Sequence, residues 1–342
     1  MRYSKVTIDA FGYELPPNVV TSEDIEQRLK PLYEALHFKK GQLEAITGIQ
    51  ERRFWDPGFK MYRGAISAGR KALQSSCVAP REIGMLIYGG VCRDNLEPAT
   101  ACAVADGLSL EPGTRIYDVS NACLGVLNGM VQIANAIELG QIRAGLVVSC
   151  ESARQIIDAT IDRLLQTRDM EVFKKTVATL TGGSGAVAVL LTDTSLSVTG
   201  HHLLGGSARN AAAFHRLCVW GPDGAGQPMM ETDSAAVLQN GVSLGIETFR
   251  DFRKELSWSD DQPDKIICHQ VGATHQRNML DAIGIAPDKD FTTFRYLGNI
   301  GTVSLPITAA IADERQFLLP GDRVGFLGIG SGLNCLMLGI EW

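Results

Sequence analysis

Residues 115–140 read RIYDVSNACLGVLNGMVQIANAIELG, and this stretch decides the fold. Arg115–Val119 is predicted to form a strand, and a helix is predicted from about Cys123 to Leu139, where Gly140 ends it. Between residues 124 and 137 the helix is almost uncharged, and its apolar residues lie on every face. A helix of this kind is buried all round. The stretch therefore predicts a strand, a short turn and an interior helix.

The rest of the chain alternates apolar strands with amphipathic helices, and its second half repeats the order of the first. A strand is also expected near Asp290–Phe294. Strands that alternate with helices favour mostly parallel sheets covered by helices on both faces. We expect two similar α/β halves, divided between about Thr192 and Asp233, with the uncharged helix between them. The predicted strands correspond in pairs: Ile83–Tyr88 with Lys265–Cys268, Ala144–Ser149 with Arg323–Leu327, and Gly185–Leu191 with Cys335–Ile340.

The composition excludes several classes of protein. A chain of 342 residues with 45% hydrophobic and 20% charged residues is typical of a globular protein. A net charge of −6 without a basic block argues against nucleic acid as the main partner. No apolar run approaches a membrane span, and the N-terminus lacks a signal-peptide core, so we expect the reducing cytoplasm. The eight cysteines show no CxxC spacing and predict neither a metal site nor a disulfide framework.

Two residues stand where the predicted elements place reactive side chains. Cys123 lies at the start of the uncharged helix, where unpaired N–H groups and the helix dipole favour a thiolate. The alternative for Cys123 is a buried structural cysteine. His269 ends the strand Lys265–Cys268, and open α/β sheets place their sites at the ends of parallel strands. The alternative for His269 is a core histidine.

Two glycine-rich stretches complete a candidate site. Asn299 lies between Gly298 and Gly301, at a position that corresponds roughly to that of Cys123, although it could also be a plain turn residue. The turn at 328–332 lacks the Lys-Ser/Thr of a phosphate-binding loop, but its N–H groups would suit an oxyanion hole. Papain-like proteases also have the order Cys, His, Asn, but their signature around the cysteine is missing here.

These motifs resemble those of the thiolase superfamily and, within it, the type III β-ketoacyl synthases. The resemblance extends over essentially the whole chain. It implies the thiolase fold, with two pseudo-symmetric halves layered α-β-α-β-α, at residues 1–195 and 196–342. The first half would carry the nucleophile and an insertion lining an acyl channel, and the second half the His and Asn. The matching motifs are Thr47–Arg53, Asp118–Gly125, His269–Val271 and Gly298–Gly301.

The resemblance also implies roles for individual residues. Cys123 would take an acyl group from coenzyme A or a carrier protein as a thioester. His269 and Asn299 would stabilise the enolate of the second thioester, and the N–H groups of Cys123 and Ser331 would hold the oxyanion. Arg52 and Arg53 are expected to bind the phosphates of coenzyme A, and the alternative is that they form a solvated basic pair. Trp55 is expected to cover the adenine, and the alternative is that it packs inside the protein.

One stretch resembles a narrower group, the acyl-CoA condensing enzymes of head-to-head hydrocarbon synthesis. It is Arg93–Ala101, supported by 215–218 and 328–335. A malonyl donor forms its enolate by losing CO2, whereas two fatty acyl-CoA molecules need a base to remove an α-proton. Burial in an apolar pocket makes a carboxylate a stronger base. By analogy with the group, Glu97 would reach across a homodimer into the partner subunit's site; the alternative is a surface or dimer-contact carboxylate.

The sequence therefore predicts an acyltransferase that joins two fatty acyl-CoA molecules by a non-decarboxylative Claisen condensation. The alternative is a decarboxylative 3-oxoacyl-[acyl-carrier-protein] synthase III that joins acyl-CoA to a malonyl thioester. Two further alternatives are acyl transfer to a hydroxyl or amine and a silent partner subunit. We expect coenzyme A thioesters as substrates and no bound cofactor. The acyl chain length does not follow from the sequence.

Overall fold

A computed structural model of the chain describes residues 1–224 and 226–342. The strands are β1 Val6–Glu14, β2 Asn18–Thr21, β3 Glu51–Phe54, β4 Ile83–Gly89, β5 Arg115–Val119, β6 Ala144–Glu151, β7 Gly185–Asp193, β8 His202–Asn210, β9 Cys218–Pro222, β10 Pro228–Thr232, β11 Lys265–Cys268, β12 Arg323–Gly330 and β13 Asn334–Glu341.

The helices are α1 Ser22–Arg28, α2 Lys30–Ala35, α3 Gln42–Thr47, α4 Met61–Gln74, α5 Thr100–Gly107, α6 Gly125–Glu138, α7 Arg154–Thr167, α8 Met170–Thr176, α9 Ser234–Leu256, α10 Ala273–Ile283, α11 Phe294–Leu297 and α12 Ser304–Glu314. Among the residues that the structure describes, no helix is long and apolar enough to cross a bilayer.

Nine strands form one sheet in the order β11-β12-β13-β8-β1-β7-β6-β4-β5. The segment β4-β6-β7-β1 has the same sequence of directions as β11-β12-β13-β8: one parallel pairing followed by two antiparallel pairings. The correspondence expected between the halves is therefore present in the sheet. Parallel pairing is confined to β4–β5, β4–β6 and β11–β12 among the described strands, a smaller share than the alternation of strands and helices suggests.

The helices complete the five layers of the thiolase fold. The core cluster that contains α6 and α12 joins side chains from both parts of the sheet, such as Ile87 and Phe326. Outer clusters place α4 and α5 over the first part of the sheet and α9 and α10 over the second. The uncharged helix is therefore a central layer, as its sequence predicts, with nine of its fourteen residues buried.

The expected strand near Asp290–Phe294 is wrong. Only Asp290 keeps an extended contact, a single parallel bridge to Ile266, and α11 begins at Phe294. The side-chain oxygen of Gln270 accepts hydrogen bonds from the backbone N–H groups of Thr293 and Phe294, at 2.8 and 3.1 Å. In a strand, these N–H groups would donate to a neighbouring strand. Because they donate to Gln270 instead, strand pairing does not continue through Thr293 and Phe294.

The stretch expected to contain the boundary between the halves holds regular structure. The central strand β8 and the hairpin β9–β10 lie between Thr192 and Asp233. β8 meets β1 at the single pair Thr7–His202, where the two parts of the sheet join. Neither β1 nor β8 is among the strands predicted from the sequence.

Candidate active site

Cys123 follows β5 through a tight turn that ends at the first residue of α6. Ala122 has a positive φ of 45°, and the N–H of Leu124 donates to the carbonyl of Asn121 at 2.9 Å. The helix start lies against the end of β4, because a Cβ on Gly125 would lie 2.8 Å from the carbonyl oxygen of Gly89. The turn therefore holds Cys123 at the carboxyl ends of the parallel strands, as the sequence predicts.

The environment of Cys123 does not favour a thiolate. The pKa of its thiol is raised to about 12, chiefly by burial and to a smaller extent by the nearby Cys218 and Glu151. The expectation that the helix N-terminus stabilises the thiolate is therefore wrong, since desolvation outweighs the helix dipole. Cys123 is a protonated thiol at neutral pH before substrate binds.

His269 lies just beyond the end of β11, and it is buried. Its backbone N–H donates to the carbonyl of Leu327 in β12 at 3.0 Å. Burial lowers the pKa of the imidazole to about 3, with a smaller effect in the same direction from His275. Within residues 1–224 and 226–342, its buried Nδ1 has no hydrogen-bond partner. A neutral imidazole of this kind can donate one hydrogen bond and accept another.

Asn299 is held by backbone contacts on both sides. Its N–H donates to Thr181 and its carbonyl accepts from Gly183, both at 2.9 Å. Gly298 has a φ of 70°, and a Cβ there would lie 2.6 Å from the carbonyl oxygen of Thr181, so glycine is required. The side-chain Oδ1 accepts from the N–H of Gly301 at 3.1 Å. This leaves the amide NH2 group as the donor for a ligand.

Contacts between these segments bring the site together. A Cβ on Gly330, at the end of β12, would lie 3.3 Å from the backbone nitrogen of Cys123, so the Ser331 turn is next to the nucleophile. The N–H of Val126 in α6 donates to Thr302 Oγ1 at 2.7 Å, which ties the helix behind Cys123 to the turn after Asn299. The geometry suits a thioester carbonyl surrounded by neutral hydrogen-bond donors.

Glu97 lies away from this cluster, on the surface of the protomer. It belongs to the loop of residues 90–99 between β4 and α5, which we call the Glu97 loop. Its side chain is exposed, and the adjacent Leu96 is 98% exposed.

Two of the three expected coenzyme A ligands are inside the protein. Arg52 is 0% exposed, and its guanidinium donates to the carbonyls of Val20 and Leu180 and to Ser22. Trp55 is 4% exposed, and its indole N–H donates to the carbonyl of Glu151 at 3.1 Å. The predictions that Arg52 contacts the phosphates and that Trp55 covers the adenine are therefore wrong, because these groups already fill buried structural positions.

Arg53 remains a candidate ligand. It is half-buried, and one of its guanidinium nitrogens donates to the carbonyl of Pro16 at 3.2 Å. The remaining donors can still meet a phosphate, so the role of Arg53 stays a prediction.

Sequence reasoning missed Glu151, a buried carboxylate at the end of β6. It contributes to the raised pKa of Cys123, and burial raises its own pKa as well. The signal was present, because Glu151 lies at the carboxyl end of an apolar strand, close to where His269 lies relative to β11. All eight cysteines are free, and no group of three or more His, Cys, Asp or Glu side chains among the described residues could hold a metal ion.

The chain matches models of one protein family in both of its halves. The model described as 3-oxoacyl-[acyl-carrier-protein (ACP)] synthase III matches residues 117–205, and the model of the C-terminal part of that family matches residues 254–342.

Two curated relatives are similar over the whole chain. The protein named acyl-CoA:acyl-CoA alkyltransferase from Shewanella oneidensis is 52% identical over 349 residues, with 100% of both chains covered. A protein of the same name from Xanthomonas campestris is 35% identical over 343 residues, again with 100% of both chains covered.

Solved structures of Xanthomonas campestris OleA have the same fold. A cerulenin-bound crystal structure aligns with a TM-score of 0.95 at 35% identity, covering 100% of this chain and 98% of that chain. A cysteine-to-serine variant of OleA with bound lauric acid and lauroyl-CoA aligns with a TM-score of 0.93 at 35% identity, covering 99% of this chain and 100% of that chain.

Proposed function

Because this chain belongs to the 3-oxoacyl-[acyl-carrier-protein] synthase III family and, within it, to the acyl-CoA:acyl-CoA alkyltransferases, we propose that it joins two fatty acyl-CoA molecules without decarboxylation. The observation that carries this proposal is the likeness to the Shewanella oneidensis relative over the full length of both chains. The arrangement of Cys123, His269 and Asn299 supports the same reaction.

The first step transfers an acyl group to Cys123. The sulfur attacks the thioester carbonyl, a new carbon–sulfur bond forms, and coenzyme A leaves as its thiol with the proton that Cys123 gives up. The tetrahedral oxyanion accepts hydrogen bonds from the N–H groups of Cys123 and Ser331. The closeness of Gly330 to the Cys123 nitrogen supports this oxyanion hole.

The second step forms the carbon–carbon bond. Glu97 of the partner subunit removes an α-proton from a second acyl-CoA, and the neutral His269 and the Asn299 amide donate hydrogen bonds to the enolate oxygen. The enolate carbon then attacks the acyl-cysteine carbonyl. The bond to the Cys123 sulfur breaks, the sulfur takes up the proton that Glu97 removed, and a β-ketoacyl-CoA remains beside the regenerated thiol and carboxylate.

A homodimer is part of this proposal, and surface features of the protomer support it. β5 is an edge strand of the sheet, and Ile116 on it is 36% exposed. The Glu97 loop nearby in sequence carries Leu96, which is almost fully exposed. An open sheet edge and exposed large apolar side chains both favour association with another chain. A second copy of this chain would cover them and receive Glu97.

Four narrower assignments belong to the same proposal. The halves are residues 1–195 and 196–342, supported by the repeated strand order. The insertion of α7 and α8 lines the acyl channel, supported by their separate core cluster with α1 and α2. Arg53 binds coenzyme A, and an acyl-carrier protein is a second acyl donor. The cytoplasmic location stays a prediction.

A product assay with myristoyl-CoA as the sole substrate tests the proposal. The unmodified protein should release coenzyme A and form a β-keto product or its ketone. Glu97→Ala should still form the acyl-enzyme on Cys123 but lose the coupled product, while Glu111→Ala, which removes another exposed carboxylate, should keep it. Product that appears only after a malonyl thioester is added would contradict the proposal and favour the decarboxylative alternative.

A further inference from the structure

Glu151 lies beneath the start of the Glu97 loop. It is 5% exposed at the end of β6. Its Oε1 accepts a hydrogen bond from the N–H of Val91 at 2.8 Å, and its Oε2 accepts one from the N–H of Cys92 at 3.1 Å. Both carboxylate oxygens therefore hold backbone of the loop that carries Glu97.

The same carboxylate also touches the site of its own subunit. A Cβ on Gly301 would lie 3.6 Å from Glu151 Cγ and 3.7 Å from its Cδ. Gly301 donates its N–H to Asn299 Oδ1, so Glu151 packs against the turn that orients the Asn299 amide. A change at Glu151 therefore reaches the Glu97 loop and the Asn299 turn together.

The rest of the Glu97 loop is fixed by two further carboxylates. Asp94 accepts hydrogen bonds from the first two N–H groups of α4, both at 3.0 Å. Asp118 accepts from the first two N–H groups of α5, both at 2.9 Å, where the loop ends. These contacts leave Leu96 and Glu97 at an exposed tip between anchored ends. Glu151 is the anchor that also contacts the Asn299 turn.

We propose that Glu151 is a positioning residue that couples the two active sites of the dimer, since it sets the path of the loop that delivers Glu97 to the partner subunit and supports the Asn299 turn of its own subunit. This inference rests on the proposed function. It predicts that each Glu151 affects condensation in two places. Through the Asn299 turn it affects the reaction of its own subunit, and through the Glu97 loop it affects the reaction of the partner subunit.

Mixed dimers separate these effects. One subunit carries Cys123→Ala and donates Glu97, and the other carries Glu97→Ala and supplies the nucleophile, so only one complete site forms. Glu151→Gln is then placed in either subunit. The glutamine side chain keeps one acceptor oxygen for the N–H groups of Val91 and Cys92, but its NH2 group faces the other N–H and cannot accept from it. In the donating subunit, this should lower the condensation rate about tenfold and leave the amount of acyl-enzyme unchanged.

Glu26→Gln is the matched control. Glu26 is 6% exposed and also accepts two backbone N–H groups, from Gly41 and Leu43, at 2.7 Å each, but it lies in α1. Glu26→Gln in the donating subunit should leave the condensation rate within about twofold of the rate of the parent mixed dimer. Glu151→Asp, which keeps both acceptor oxygens, should restore part of the rate that Glu151→Gln loses.

The outcomes distinguish failure of this inference from failure of the proposed function. A mixed dimer that condenses normally with Glu151→Gln in the donating subunit overturns the inference but keeps the role of Glu97. A mixed dimer that is inactive before Glu151 is changed contradicts delivery of Glu97 to the partner. Hydrogen exchange of the otherwise unmodified dimer then decides on Glu151: the amides of Val91 and Cys92 should exchange about tenfold faster in Glu151→Gln, and unchanged protection refutes its positioning role.

Discussion

The raised pKa of Cys123 predicts an unusual pH dependence for its alkylation by iodoacetamide. Only the thiolate reacts, and a free cysteine has a pKa of about 8.5, so about a quarter of it is ionised at pH 8. With burial raising the pKa to about 12, the ionised fraction of Cys123 at pH 8 is only about 10⁻⁴. Ionisation alone therefore slows alkylation by about three orders of magnitude.

The assay follows modification of individual cysteine-containing peptides by mass spectrometry between pH 7 and pH 10. Alkylation of Cys123 should rise about tenfold for each pH unit without levelling off. Cys77, whose side chain is exposed, provides the reference reaction in the same chain. Limited access to Cys123 would lower its rate at every pH but would leave this slope unchanged.

A rate for Cys123 that levels off between pH 7 and pH 9 would refute the reasoning. It would mean that the helix N-terminus, or a charged group brought by the partner subunit, outweighs burial. The His269 imidazole supplies no positive charge to lower the pKa of Cys123, because burial lowers the pKa of that ring to about 3.

Three further changes test other parts of the structure. Burial raises the pKa of Asp290 to about 7, so the folded state keeps a proton that the unfolded chain loses above about pH 4. The free energy of unfolding should therefore fall by up to about 4 kcal/mol as the pH rises from about 4 to about 7. Asp290→Asn should flatten this fall in urea titrations. Gly125→Ala brings a Cβ within 2.8 Å of backbone and should cost about 1–3 kcal/mol of stability, whereas Gly113→Ala, with no atom within 4 Å, should cost less than about 0.5 kcal/mol in the same titration. Thr302→Val removes the acceptor for a buried N–H of α6 and should cost about 1–2 kcal/mol, which Thr302→Ser should restore.

The sequence predicts the elements that have a clear period or a clear end. β5 and β11 have the predicted bounds, and α6 is buried on nearly every face because its residues are apolar on every face. The strands β1 and β8 were missed, because their position in the middle of the sheet depends on partners almost two hundred residues apart, such as Val6 with Asp193. Pairing over that distance leaves no local pattern to read.

The candidate site divides in the same way. Cys123, His269 and Asn299 follow recognisable strands or turns, so the sequence alone singles them out as candidates, and their joint action is part of the proposed function. The roles of Arg52 and Trp55 could not, because a basic or aromatic residue in a motif looks the same whether it faces a ligand or the interior. Tertiary packing decides that question: both lie inside, and Arg52 uses its donors on backbone carbonyls.

The absence of resident positive charge among Cys123, His269 and Asn299 fits the proposed condensation. Both reacting groups are neutral thioesters, and negative charge develops on a carbonyl oxygen only as each step proceeds. Neutral donors bind that developing charge more strongly than the ground-state carbonyl, and this difference is what lowers the barrier. The proposed base, by contrast, is Glu97, whose side chain is exposed on the separate protomer. Under the proposed function, the α-proton is therefore removed only in the assembled dimer, where Glu97 of the partner subunit and the acyl-cysteine meet in one site.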